Sequence, residues 1–156
     1  MTLRTTATHS DLDWLLDRLV DQVVGARSAV LLSADGLVMS QSSDISRVDA
    51  ERLAAIATGQ QSLARGFGEV FGGGTVHQVI IELDSLWLFV SSAGRETHLA
   101  VVAGQETDGE VLSVAMHTLV QQVGQRLGAE ARVVQEPAQS WALPFSSEAE
   151  GGGDRG

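Results

Sequence analysis

The chain predicts an α+β sandwich in the order αββαβββα, with one five-stranded antiparallel sheet and helices on both faces. Three observations predict it. Residues 29 to 40, "AVLLSADGLVMS", set two apolar runs about an Asp35-Gly36 pair, and Asp-Gly accepts the positive φ angles of a hairpin turn. Three more β-type runs, 75–83, 85–92 and 97–104, follow one another through short polar turns. Connections that short join antiparallel strands, because parallel ones need a long crossover. Around and between these runs stand three segments whose apolar residues recur with the 3.6-residue period of a helix.

The first helix covers residues 11 to 25. Leu12, Leu15, Leu16, Leu19 and Val23 make one stripe. Ser10 is placed to cap it, Asp11 and Asp13 complement the helix dipole, and Gly25 stops it. Trp14 falls off the stripe. The hairpin at 28–41 is apolar at nearly every position, as a strand covered on both faces would be. The second helix, 49–66, carries Leu53, Ile56 and Leu63 on its large-apolar face, with Phe67 just beyond. Its other face holds Ala54, Ala55, Thr58 and Ser62, all small and uncharged. The glycine-rich stretch "GFGEVFGGGT" reads as a flexible linker. In the strand at 85–92, Leu86, Leu88 and Val90 alternate with Trp87 and Phe89, so both faces are apolar and the strand sits inside the sheet. The last helix runs from about 109 to 127, with Thr107 and Glu110 as a capping box and Leu112, Met116, Leu119, Val123 and Leu127 as its buried stripe. Three regions result: a flexible 1–9, a folded 10–128 and a disordered acidic tail at 129–156.

Composition removes several functions. The net charge is −10 over 156 residues, which argues against nucleic acid and against direct docking on anionic lipid. No apolar run approaches the length of a membrane helix and no signal peptide is evident, so a cytoplasmic protein is expected. Cysteine is absent, and all ten basic residues are Arg. Thiol nucleophiles, Cys-held zinc, a phosphate-loop Lys and a Schiff base are therefore excluded. The glycine run lacks the GK[ST] ending and precedes a strand, so no helix dipole serves it. His77, His98 and His117 form no metal-type spacing. "VSSAG" has Val where a nucleophile elbow needs Gly. Neither catalytic nor metal-ligating residues are expected, nor any cofactor.

Surfaces are more informative. Ala54, Ala55, Thr58 and Ser62 would let a second backbone approach the second helix closely, and a two-fold dimer is the preferred reading. The strand at 75–83, with Val76, Gln78 and Ile80, reads as a sheet edge that pairing would protect. Trp14 is a candidate binding anchor, and Trp141 and Phe145 of "WALPF" form a string suited to docking in extended form.

This succession of helix, "AVLLSADGLVMS", helix, glycine linker, "VIIELDSLWLFVSSAG", "HLAVVAG" and helix resembles the roadblock/dynein light-chain family over residues 10 to 128. It is most similar to bacterial members found beside Ras-like small GTPases, including the four-gene conservon type. The resemblance implies this fold, a homodimer built from the second helix and the third strand, and a non-enzymatic role regulating or scaffolding a small GTPase. A sensor kinase-like membrane protein is the implied further partner. Arg47, Arg65 and Arg95 are then candidates to act in trans on hydrolysis; holding one GTPase conformation is the preferred alternative. Outside that family, a small-ligand sensor or a passive adaptor competes, and a sensor would need a cavity between sheet and helices.

Overall fold

The computed structural model describes the backbone of residues 3–94 and 96–142 and the side chains of residues 12–94 and 96–126. The element order is α1 (Leu3–Gln22), β1 (Ala26–Ser33), β2 (Val38–Gln41), α2 (Arg47–Phe71), β3 (Gln78–Glu82), β4 (Leu86–Ser92), β5 (Thr97–Gly104) and α3 (Gly109–Ala142). This is the αββαβββα order the sequence predicts.

The five strands form one sheet in the order β2-β1-β5-β4-β3, every neighbouring pair antiparallel. The two hairpins are thus zipped together by β1 against β5, and β4 lies inside the sheet as its two apolar faces require. Side chains alternate across the pleat. Val30, Leu32, Val90 and Ala100 point to one face and form a core with Ala50, Leu53, Ala54 and Ala57 of α2. Ala29, Leu31, Phe89, Leu99 and Val101 point to the other and are as fully buried. That second face belongs to α1, which lies on β1 and β2, and to the first part of α3, which runs beside α1. Leu12, Leu15, Leu16, Leu19 and Val23 of α1 and Leu112, Met116, Leu119 and Val123 of α3 are all buried. The chain has two compact units, residues 1–124 and 125–156. The first unit holds the sheet and its cover; in the second, the described backbone is helical as far as Ala142.

Several boundaries differ from the sequence reading. α1 starts at Leu3, so Ser10 lies inside the helix and not at its cap. It ends at Gln22, and Gly25 turns the chain with φ +87°. The β1–β2 turn spans 34–37 and not two residues: Ser33 donates from its N–H to the Leu37 carbonyl, and Gly36 carries φ +84°. α2 starts earlier, where the Ser46 side chain accepts from the Asp49 N–H. It also continues through Gly66 and Gly68 and stops only at Gly72, which has the left-handed conformation that suits glycine. Six of the ten residues of the expected linker, 66–71 of 66–75, are therefore helix. A Cβ on Gly68 would stand 2.7 Å from the Gly74 carbonyl, so that glycine serves the tight reversal after α2 and not flexibility. At α3 the cap is Asp108, whose carboxylate accepts from the Glu110 N–H at 2.9 Å, and not Thr107. α3 passes Gly128, where the sequence reading ended it; one glycine inside a helix costs about 1 kcal/mol and does not stop it.

Candidate dimer and partner interface

The inner and outer faces of α2 differ in side-chain size. Its buried residues are Ala50, Leu53, Ala54, Ala57 and Gln61, so the face against the sheet is mostly alanine and the helix sits low on the strands. Its large apolar residues point away. Ile56, Leu63, Phe67 and Val70 are 52%, 70%, 66% and 77% exposed. They recur at i, i+7, i+11 and i+14, one outward stripe, and the Phe67 and Phe71 rings pack at 5.3 Å. Alongside runs a second row, Ala55, Gly59, Ser62 and Gly66, at i, i+4, i+7 and i+11. A Cβ on Gly59 or on Gly66 would meet nothing within 4 Å. No contact among the described residues therefore requires glycine there, although each costs the helix about 1 kcal/mol relative to alanine.

This corrects the sequence reading of α2. Leu53, Ile56 and Leu63 read as one large-apolar face with Phe67 just beyond it, but Leu53 lies inside and the other three lie outside. Ala54, expected at a dimer surface, is fully buried in the chain's own core. Thr58 is half-buried, donates its hydroxyl to the Ala54 carbonyl at 2.8 Å and faces Gly36 of the β1–β2 turn. Ala55 and Ser62 are exposed as expected. The physical reason lies beneath the helix: Val30, Leu32, Val90 and Ala100 of the sheet already fill that core together with Leu53, Ala50, Ala54 and Ala57 of α2.

The two sheet edges are equally unlike. β2 has four residues and a register shift between Leu31 and Leu32 where it pairs with β1. Asp13 of α1 accepts from the Ser40 hydroxyl and the Gln41 N–H, and Asp17 accepts from the Ser43 N–H at 2.7 Å. β3 pairs with β4 in unbroken register from Gln78 to Glu82. Ile80 is 49% exposed on it. Gln78 is half-buried, donating to Ser91 at 3.1 Å and accepting from Ser113 of α3 at 3.4 Å. Val76, expected on this strand, precedes it; its carbonyl accepts from the Ser92 hydroxyl. The strand is shorter than expected because its first residues turn off the reversal at Gly72–Gly74.

The remaining candidates are scattered. Trp14 is about half exposed on α1. Arg65 is exposed on α2, with a guanidinium nitrogen 3.4 Å from the Ser62 hydroxyl. Arg47 pairs with Glu51. Trp141 lies on α3 with its side chain outside the described residues, and Arg95 and Phe145 lie outside them altogether. Of the dimer-interface candidates read from the sequence, Ala55, Ser62 and Ile80 combine exposure with a place on the outer α2 face or the β3 edge. The signal that could have found the rest was available: Gly59 and Gly66 fall on the same side of α2 as Ile56 and Leu63.

The described clefts open at the surface. One, of about 200 Å³, lies between α1 and α3 and is lined by Leu15, Leu19, Ala115 and Leu119 among others. Between α2 and the sheet, the space a ligand sensor would need is filled by Val30, Leu32, Val90 and Ala100. No three His, Asp or Glu are grouped to hold a metal among the described residues. No described helix is long and apolar enough to cross a membrane. One titratable group is displaced: burial, and then the charge of Arg65, hold the His98 imidazole below its ordinary pKa.

A two-layered cover on an antiparallel sheet, with apolar surface turned outward on one helix, defines a small α+β interaction domain. The family model described as "Roadblock/LC7 domain" matches residues 12–103, and the chain belongs to that family. It is 50% identical to a Roadblock/LC7 domain from Streptomyces avermitilis whose crystal structure covers 74% of this chain and 96% of its own, with a TM-score of 0.72. A second Roadblock/LC7 domain from the same organism is 41% identical, with coverage of 73% and 99% and a TM-score of 0.61. Myxococcus xanthus MglB is 16% identical, with coverage of 78% and 90% and a TM-score of 0.71, a likeness of fold. No curated protein matches the chain.

Proposed function

We propose that this protein is a non-enzymatic, homodimeric regulator or scaffold of a Ras-like small GTPase, two copies joining through the outer face of α2 and the edge of β3. The observation that carries the dimer is the pair of outward rows on α2. One row is large and apolar, the other is small, and both stand beside a strand with an unbroken register. Fully burying a Leu, Phe or Val side chain is worth about 1.5–3 kcal/mol, and a two-fold axis counts each residue twice. The small row lets the backbones approach and the large row fills the space around them.

The GTPase is the partner implied by family membership. Its dock on this chain would draw on Trp14, on Arg65 and on Trp141 and Phe145 of the tail, with a sensor kinase-like membrane protein as a further partner. The net charge of −10 suits a basic patch on such a partner and speeds encounter. State-selective binding is the preferred mode, since it requires only unequal affinity for the two nucleotide states.

Two measurements test this. Light scattering should return twice the chain mass. Pull-down from source lysate in GDP and in a non-hydrolysable GTP analogue should recover a small GTPase unequally. Recovery of no GTPase in either nucleotide refutes the regulator reading.

A further inference from the structure

Beneath the second half of α2 the core ends in polar groups. Gln61 is the last buried residue of the helix, 2% exposed, and its amide nitrogen has no hydrogen-bond partner. His98 stands on β5 between Leu32 of β1 and Ser92 of β4. It lies on the same face of the sheet as Ala100, the face that α2 covers. Its Nδ1 is buried and also without a partner. One turn beyond Gln61, Arg65 brings its positive charge to bear on the ring. Burial and the like charge of Arg65 both oppose a proton on His98, and a charged ring would hold a buried Nδ1–H donor with no acceptor placed for it among the described residues. Leu32 and Ser92 carry no charge. The acids in this part of the chain, Asp35, Glu69 and Glu96, are all exposed.

We propose that His98 is an acid-sensitive latch for α2: protonating it loosens the helix from the sheet and, because α2 carries the outward rows, weakens the dimer. The dimer part rests on the function proposed above; the latch itself does not. The direction follows from linkage. Above about pH 6.5, the ordinary imidazole value, folded and unfolded chains both hold His98 neutral. Below it the unfolded chain takes the proton first, so stability falls with pH until the pH passes the lowered folded value. Each unit of lowering makes the full loss about tenfold in the equilibrium constant.

The test is urea unfolding of the full chain from pH 7.5 to 5.0, with sedimentation velocity at each pH, for the native protein, His98→Gln and Arg65→Gln. The native protein should lose stability from pH 6.5 downward. His98→Gln should lose markedly less. Arg65→Gln, which removes the facing charge and lets the folded pKa rise, should fall between them and serves alone should His98→Gln fail to fold. Equal slopes in native protein and variants overturn the latch. In sedimentation, dimer at pH 7.5 passing to monomer at pH 5.5 in the native protein but not in His98→Gln supports the coupling. A native monomer at pH 7.5 overturns the dimer and its coupling, and leaves the unfolding slopes to decide the latch.

Discussion

α1 and α2 cover opposite faces of one sheet in opposite ways. α1 turns Leu12, Leu15, Leu16, Leu19 and Val23 inward and leaves mainly polar residues outside. α2 turns three alanines inward and carries Ile56, Leu63, Phe67 and Val70 outside. A helix with one neighbour needs one apolar stripe. The second stripe on α2, set apart from the first, is what the proposed dimer would cover.

Four substitutions would break or sharpen that contrast. Leu16→Ala removes a fully buried side chain beneath α1 and should cost about 2–5 kcal/mol of folding stability, read by urea unfolding. Ala54→Leu forces extra volume where α2 lies low and should cost about 1–3 kcal/mol. A cost near zero would mean that the alanine face has slack. Gly59→Ala should act in two directions. It should raise helix stability by about 0.5–1 kcal/mol, because nothing stands within 4 Å, and it should weaken the dimer by separating the two backbones. A stabilised fold with an unchanged dimer would move the close approach away from Gly59. Leu63→Glu should shift stability by only about 0.5 kcal/mol, since the residue is exposed, yet halve the mass seen by light scattering. An unchanged mass would strip the outer row of its proposed purpose.

Much of this fold was legible in the sequence. Repetitive patterns with one solution, such as the α1 stripe and the α3 stripe from Leu112 to Val123, placed their residues correctly, and β5 was bounded to the residue. The side chain of Leu127 lies outside the described residues. Asp35-Gly36 marked its hairpin although the turn is longer than two residues. Errors gathered where a residue type has two uses. Glycine ends helices and also lies within them, so Gly66, Gly68 and Gly128 misplaced the ends of α2 and α3. On α2 the period of 3.6 was plain, but Leu53 lies inward and Ile56 outward, and periodicity alone cannot say which of two apolar stripes meets the sheet. The side chains that the strands present beneath α2 bear on that choice, and they lie far from α2 in the sequence. The interface candidates suffered for the same reason: small residues were read as a surface for a second chain, when Ala54 serves the first.

The carboxylates of Asp13 and Asp17, seated against the residues at and just beyond the end of β2, bear on stoichiometry. A sheet with two open borders adds copies indefinitely, in the manner of a growing polymer. Here a short, bulged strand with acidic side chains closes one border, and in the proposed dimer growth is left to β3 alone. With β3 paired to β3 as proposed, neither copy would have another border to offer, and assembly through the sheet would stop at two.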